Sequence, residues 1–180
     1  KMANAIVLEV LDFVRPIRLQ MDRVSVAQVV QDAIVLADRK LTRRATALSL
    51  DLPPDLPPIQ GDHQQLCQVV TNLLINACEA QACGGAVHLH AATRDAVPGT
   101  EPASVVVRVA DDGPGIPVEI RDKIFDPFFS TKPQGSGLGL AIVRKIIDAH
   151  EGRIDVVSAP GRGTTFTLTL PVLAPGQLAF

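Results

Sequence analysis

Two glycine-rich segments contain the residues whose types and spacing could bind a phosphate group. Asp111-Asp112-Gly113-Pro114-Gly115 follows an apolar run, 105–110, that predicts a buried strand, and Gly135-Ser136-Gly137-Leu138-Gly139-Leu140 opens a helical pattern. Glycine lets backbone N–H groups approach a ligand, and a glycine turn that leads into a helix N-terminus is a ready anion site. The spacing therefore predicts a phosphate-bearing ligand.

The two commonest phosphate loops do not fit these segments. A Walker loop needs Gly-Lys-Ser/Thr after its glycines, whereas Leu140 and Ala141 follow here. A dinucleotide fingerprint needs an acidic residue on the strand after its glycine turn. A glycine-rich surface turn would explain either cluster alone, but Phe125-Asp126-Pro127-Phe128-Phe129 joins the two clusters and makes that explanation poor.

A second candidate feature lies on the helix predicted from Gln64 to about Gln81. Gln68, Asn72 and Asn76 recur every four residues on it and so share one stripe. Asparagine is a mediocre helix former, because its side chain competes for backbone groups. A merely solvated face more often carries Glu, Lys and Arg, so the two asparagines indicate a function.

Periodicity predicts the elements that must position these residues. Apolar faces predict helices at 1–15, 26–37, 64–81, 118–123 and from 140 to near 152, and strand patterns occur at 47–52, 86–94, 103–110, 153–158 and 164–170. Ser25 and Asp62 are good N-caps for the second and third helices. Local patterns thus favour an α/β domain in which helices cover a sheet.

At these residues the sequence resembles a known family. The segments 111–116, 124–132 and 135–140 resemble the G1, F and G2 boxes of the sensor histidine kinase catalytic domain, a member of the GHKL ATPase superfamily, and 68–80 resembles its N box. The Asn-Ala-x-Glu-Ala version of the N box resembles the nitrogen-regulation subgroup. The resemblance implies a two-layer α/β sandwich with a mixed sheet, the Bergerat ATP-binding fold, with three helices on one face.

The resemblance also implies residue roles and two cofactors, ATP and Mg²⁺. Asp111 would accept a hydrogen bond from the adenine amino group, Asn76 would coordinate Mg²⁺, and Asn72 would lie beside the same phosphates. Lys132 could meet the terminal phosphates, although a solvated lysine explains it about as well. The remaining nucleotide-binding residues that the resemblance implies are Gly113, Gly115, Ile116, Phe125, Phe128, Gly135, Ser136, Gly137, Leu138, Gly139, Leu140 and Thr165.

Asn72 bears on which reaction the superfamily resemblance implies. Superfamily members that hydrolyse ATP, and anti-sigma-type serine kinases, usually place a glutamate general base there, and an amide cannot take that proton. Asn72 therefore favours transfer of the γ-phosphoryl group of Mg-ATP to a histidine. Another GHKL ATPase, a serine kinase, or a nucleotide-binding module without activity remain alternatives. Glu79 stands where many histidine kinases carry a phosphate-facing Lys or Arg.

Residues 1–24 are predicted to be separate from a catalytic domain at 25–180. The helix at 1–15 is amphipathic and ends before Pro16, and its last residues resemble the end of the second helix of the kinase dimerisation hairpin. An ordinary N-terminal helix docked on the domain is the alternative. The helix contains no histidine, so the phosphoacceptor is expected outside this chain. His88 and His90 alternate on a strand without a third ligand, which favours an exposed face over a metal site.

Composition bounds the partners and the compartment. The 180 residues carry 17 basic and 19 acidic side chains without a basic run, so no nucleic acid partner is expected. Three cysteines without Cys-x-x-Cys spacing indicate a reducing compartment, and no signal peptide or membrane-spanning run is apparent. A cytoplasmic domain without membrane contact is expected. The resemblance implies ATP or ADP, the hairpin of a homodimeric parent kinase, and a response regulator receiver domain as partners.

Overall fold

The computed structural model describes residues 2–133 and 135–173, which form five helices and seven strands. The helices are α1 (Met2–Val14), α2 (Val26–Arg43), α3 (His63–Glu79), α4 (Val118–Arg121) and α5 (Gly139–Ala149). The strands are β1 (Asp22–Val24), β2 (Ala47–Asp51), β3 (Ile59–Gly61), β4 (Ala86–Arg94), β5 (Ser104–Asp111), β6 (Arg153–Ser158) and β7 (Thr164–Pro171). None of the helices in the described ranges has the length and apolar character needed to cross a membrane.

Five strands form one mixed sheet in the order β2-β4-β5-β7-β6. The β2–β4 pair is parallel, and the other three pairs are antiparallel. The predicted mixed sheet is thereby confirmed. A second, two-stranded sheet pairs β1 with β3 in antiparallel fashion, and periodicity did not predict it because each strand has only three residues.

Helices α2, α3 and α5 cover one face of the large sheet, as expected. On β5, Val105, Val107 and Val109 are buried in the same cluster as the apolar faces of these helices. Alternate strand residues point to opposite faces of a sheet, so one parity of each strand faces the helices. Burying this continuous apolar cluster stabilises the two layers, because the hydrophobic effect contributes roughly 25 cal/mol per Å² of apolar surface removed from water.

Two predicted caps hold the helices at their N-termini. The Ser25 side chain accepts a hydrogen bond from the Gln28 N–H at 3.3 Å, and the Asp62 side chain accepts one from the Gln65 N–H at 3.1 Å. The other carboxylate oxygen of Asp62 accepts the Gln20 N–H at 2.9 Å. Asp62 therefore starts α3 and also fixes the segment that follows α1.

Helix α1 packs beside α5 through a small number of contacts. The Lys145 ammonium group donates to the carbonyl oxygens of Phe13 at 2.5 Å and Arg15 at 2.9 Å. Large apolar side chains of α1 that stay exposed include Ile6, Val7, Leu8, Leu11 and Val14. The predicted domain boundary after residue 24 comes immediately after β1 in the sequence. The strand that pairs with β1, β3, belongs to the predicted catalytic region.

Candidate nucleotide-binding site

Asp111 is a buried carboxylate at the last position of β5. Only 6% of its surface is exposed, and its Oδ1 accepts a hydrogen bond from the Gly113 N–H at 2.9 Å. Burial raises the pKa of Asp111 above its ordinary value, the backbone N–H groups of Gly113 and Thr164 partly offset this, and the neighbouring Asp112 adds to the rise. An ionised carboxylate only accepts hydrogen bonds, so this buried side chain is suited to bind an amino group of a ligand.

The turn after Asp111 requires glycine at Gly115. This residue has φ of 78°, and a Cβ atom there would lie 2.1 Å from the carbonyl oxygen of Ala159. The Gly161 N–H donates to the Pro114 carbonyl oxygen at 2.7 Å in the same place. The backbone of the turn is therefore packed directly against the β6–β7 loop, where any side chain would separate the two.

Ser158, which the sequence did not single out, ties this turn to the closing hairpin. Its hydroxyl accepts the Ile116 N–H at 2.8 Å and donates to the Gly163 carbonyl oxygen at 3.0 Å. A hydroxyl has one proton, so the Thr164 hydroxyl must be the donor in its 2.9 Å contact with Ser158. Ser158 and Thr164 are both buried polar residues at the ends of the strands that form the hairpin. No local pattern marks them.

The register of β7 determines on which face of the sheet Thr165, a predicted nucleotide-binding residue, lies. Thr164 pairs with Asp111 and Thr165 pairs with Ala110, so the two threonines point to opposite faces of the sheet. Asp111 shares its face with Val109 and the helices, and so does Thr164. Thr165 therefore lies on the other face, away from Asp111, whereas Thr164 lies beside Asp111.

Asn72 and Asn76 lie one turn apart on α3, and both are half-buried. The Lys132 ammonium group donates to Asn76 Oδ1 at 2.9 Å and to Glu79 Oε2 at 2.7 Å. The sequence left a solvated lysine as an equal explanation, but Lys132 is engaged with α3. Glu79 Oε1 also lies 2.5 Å from the Lys40 ammonium nitrogen of α2.

These ion pairs determine the charge of Glu79. Partial burial opposes its ionisation, but hydrogen bonds from Lys132 and Lys40 outweigh burial, so the pKa of Glu79 lies below its ordinary value. The side chain is an anion between two cations.

Asn76 fits a role as a magnesium ligand. Its amide oxygen accepts a hydrogen bond from the positively charged Lys132 ammonium group. Mg²⁺ binds hard oxygen ligands, usually one or two protein groups together with waters and substrate phosphates. No cluster of three or more His, Cys, Asp or Glu occurs within residues 2–133 and 135–173. A cation at Asn76 would thus depend on phosphate oxygens for much of its coordination.

The second glycine segment leads into α5, as predicted. Among the residues that the structure describes, no side chain caps the N-terminus of α5, and the Leu138 N–H donates to the Ser136 hydroxyl at 3.2 Å. Backbone N–H groups at a helix start without a side-chain cap form the arrangement that attracts an anion. Leu138 itself is fully buried and Leu140 packs against the core, so any ligand contact from these residues would come from their backbone.

Gly137 allows the glycine segment to pack on the phenylalanine segment. Its φ is 73°, and a Cβ atom there would lie 2.4 Å from the carbonyl carbon of Phe128. Gly135 and Gly139 are exposed beside it. The Ser136 hydroxyl also contacts the Glu9 carboxylate of α1.

The two predicted phenylalanines have different surroundings. The Phe125 ring packs edge-on against Phe166 of β7, with centroids 6.2 Å apart, and the Arg144 guanidinium lies 4.7 Å from its centroid. Phe128 has φ of 65° and is 65% exposed, and its ring meets Phe13 of α1 at 6.5 Å. Phe125 therefore anchors the segment to the sheet, whereas Phe128 faces α1.

The histidines have structural partners. His150 is buried, its Nε2 accepts the Asp62 N–H at 2.9 Å, and its Nδ1 donates to the Ile146 carbonyl oxygen at 2.8 Å. Both ring nitrogens are thus used within the core. His88 Nδ1 lies 2.6 Å from the Ser49 hydroxyl oxygen on the exposed strand face that the sequence predicted.

Comparison with known proteins agrees with this geometry. Residues 61–174 match the family described as histidine kinase-, DNA gyrase B-, and HSP90-like ATPase. The chain is 36% identical over 174 residues to the signal transduction histidine-protein kinase AtoS of Escherichia coli strain K12, covering 97% of this chain and 28% of AtoS. It is 49% identical over 134 residues to the sensory histidine kinase/phosphatase NtrB of Rhodobacter capsulatus, covering 71% of this chain and 37% of NtrB.

A solved structure extends the agreement to three dimensions. Full-length ShkA in complex with AMPPNP matches with a TM-score of 0.80 and 28% identity, over 95% of this chain and 36% of that one. The chain thus spans only about a third of the length of these relatives. By its matched region and its fold, the chain belongs to the family of histidine kinase-, DNA gyrase B-, and HSP90-like ATPases, as an ATP-binding catalytic domain of the sensor histidine kinase type.

Proposed function

We propose that this domain binds Mg-ATP and transfers its γ-phosphoryl group to a histidine located outside this chain. The observation that carries the proposal is the Lys132 contact with Asn76, because it joins the loop between the two glycine segments to the asparagine face of α3. The phosphates of one nucleotide could thereby meet the Lys132 ammonium group, the N-terminus of α5 and the amide oxygen of Asn76. Asp111 supplies the acceptor for the base at the end of β5.

The proposed mechanism relies on positioning and electrostatics. Asp111 accepts from the adenine amine, and the backbone N–H groups at the start of α5 hold phosphate oxygens. Asn76 would hold the cation, and a bound Mg²⁺ would supply positive charge to neutralise the phosphates. Lys132 stabilises the negative charge on the transferred group, and Asn72 orients the phosphates through its amide. Little covalent chemistry is required of the protein in phosphoryl transfer, so such contacts are sufficient.

The acceptor and the other partners follow from the same proposal. His150 is fully engaged in the core, and the helix that resembles the dimerisation hairpin contains no histidine, so we assign the acceptor to a hairpin beyond this chain. We further propose a homodimeric parent kinase, which the exposed apolar side chains of α1 would help to assemble, and a response regulator receiver domain as the next phosphate acceptor. Because ATP is the phosphate donor, we place the domain in the cytoplasm.

Isothermal titration calorimetry tests the first step of the proposed function. We expect ATP to bind with one site per chain in Mg²⁺ and more weakly in excess EDTA. GTP serves as the control ligand. Guanine presents a carbonyl oxygen at the position where adenine presents the amino group that would donate a hydrogen bond to Asp111. Equal affinity for ATP and GTP would overturn the assignment of Asp111, and absence of binding to both would overturn the proposed function.

A further inference from the structure

Lys132, Glu79 and Lys40 form a chain of ion pairs that ends on Asn76. Glu79 lies three residues after Asn76 on α3, so the two side chains share one face of the helix. Lys132 reaches both of them, at 2.9 Å to the amide oxygen and 2.7 Å to the carboxylate. The side chain of Glu79 is 24% exposed and that of Lys132 is 37% exposed, so water screens this pair only in part.

Glu79 is the stronger of the two partners of Lys132. A carboxylate accepting from an ammonium group forms a charge-assisted hydrogen bond, roughly twice as strong as a bond between neutral groups, whereas Asn76 offers a neutral amide oxygen. The other oxygen of Glu79 is held by Lys40 of α2. The carboxylate is therefore fixed by α2 and α3 independently of the loop that carries Lys132.

We propose that Glu79 is a positioning residue that keeps the Lys132 ammonium group on Asn76 Oδ1 until Mg²⁺ and nucleotide bind. This inference rests on the proposed function. An ammonium group and a divalent cation on the same oxygen would repel each other across a few ångströms, so Lys132 must leave Asn76 before this oxygen can serve as a ligand. Glu79 keeps Lys40 as its partner, and the released Lys132 turns toward the phosphates.

Two other roles for Glu79 predict different effects of removing its charge. If Glu79 were itself a cation ligand, removing its charge would weaken the response to Mg²⁺. If Glu79 only repelled phosphates, removing its charge would strengthen nucleotide binding whether or not Lys132 were present. The positioning role differs from both, because it requires Lys132 and acts before any ligand is bound.

Hydrogen exchange without nucleotide tests the positioning step. In Glu79→Gln, we expect the backbone amides of residues 129–132 to exchange about two- to five-fold faster, the range that a partly exposed ion pair can account for. Glu101→Gln is the matched control, because it removes the same charge from the Arg94–Glu101 pair at the β4–β5 loop. Unchanged exchange in Glu79→Gln would overturn the positioning role.

Nucleotide binding measured over a series of Mg²⁺ concentrations tests the displacement step. We expect Glu79→Gln to lower the half-maximal Mg²⁺ concentration about two- to five-fold, and we expect this gain to vanish in a Lys132→Met background. A higher half-maximal concentration, or an equal gain in the Lys132→Met background, would overturn the inference. If the unmodified chain binds no nucleotide, the proposed function fails too, whereas normal binding with unchanged exchange in Glu79→Gln refutes only the role of Glu79.

Discussion

Replacing Asp111 with asparagine should weaken ATP binding strongly. The substituted side chain can still accept the Gly113 N–H through its amide oxygen, but its NH₂ group would replace the second carboxylate oxygen and oppose the adenine amine. A lost charge-assisted hydrogen bond and an unpaired buried donor cost together about 2–4 kcal/mol. Since each 1.4 kcal/mol is a factor of ten, the dissociation constant should rise about 30- to 1,000-fold.

Calorimetric titration with Mg-ATP measures this effect, and Asp112→Asn is the matched control. Asp112 is the adjacent carboxylate, but its side chain is 67% exposed, and its hydrogen-bond and ion-pair partner among the described residues is His88. Its substitution should therefore change ATP affinity by less than about threefold. A thermal melt without ligand checks that Asp111→Asn is folded. Unchanged affinity in a folded Asp111→Asn chain would refute the assignment of the adenine acceptor.

Four further outcomes follow from the site and its supports. The Asn76→Ala variant should bind ATP in Mg²⁺ only as tightly as the unmodified chain does in EDTA, measured by calorimetry. Because burial raises the pKa of Asp111 above 3.8, its carboxylate takes up a proton at higher pH than an ordinary aspartate. ATP affinity should therefore fall as the pH drops from about 7 toward about 4. The affinity of Asp111→Asn for ATP should fall less over the same range, because its amide does not titrate. Ser158→Ala should lower the free energy of unfolding, measured in urea, by about 1–3 kcal/mol, because it leaves the Ile116 N–H and the Gly163 carbonyl without their partner. Ser49→Ala, on the exposed face of the sheet, is the control and should lower the free energy of unfolding by less than about 0.5 kcal/mol. The backbone N–H groups of the non-proline residues in 125–133 should be among the fastest to exchange in the nucleotide-free chain and should slow when ATP is added.

Most of the fold was predictable because its signals are local. Helix faces, N-caps such as Ser25 and Asp62, and alternating strands depend on neighbouring residues, and the structure places most of these elements within a few residues of their predicted bounds. The exception is α2, which continues to Arg43, six residues beyond its predicted apolar face at 26–37. The asparagine stripe of α3 was predictable for the same reason, since helical periodicity determines which side chains share a face. The small β1–β3 sheet was not, because strands of three residues carry no readable period.

The parts of the site that the sequence did not predict depend on contacts between distant segments. Thr164 rather than Thr165 faces Asp111 because of strand parity, and a one-residue difference in register reverses which face a side chain occupies. The Lys132–Glu79 pair joins residues 53 positions apart, so no local pattern reveals it. Ser158 likewise acquires its role only when the hairpin closes against the turn after Asp111.

Phosphoryl transfer from γ-labelled ATP tests the central claim most directly. The chain is incubated with label in Mg²⁺, alone and together with a separately supplied hairpin that carries the acceptor histidine. We predict acid-labile label on the hairpin and none on the chain, because α1 contains no histidine and His150 is buried with both ring nitrogens engaged. The other three histidines, His63, His88 and His90, are paired with Asp32, Ser49 and Asp51 and do not lie on α1. Acid-labile label on the chain alone, or an unlabelled hairpin when ATP is bound, would contradict the proposal that this domain phosphorylates a histidine outside itself.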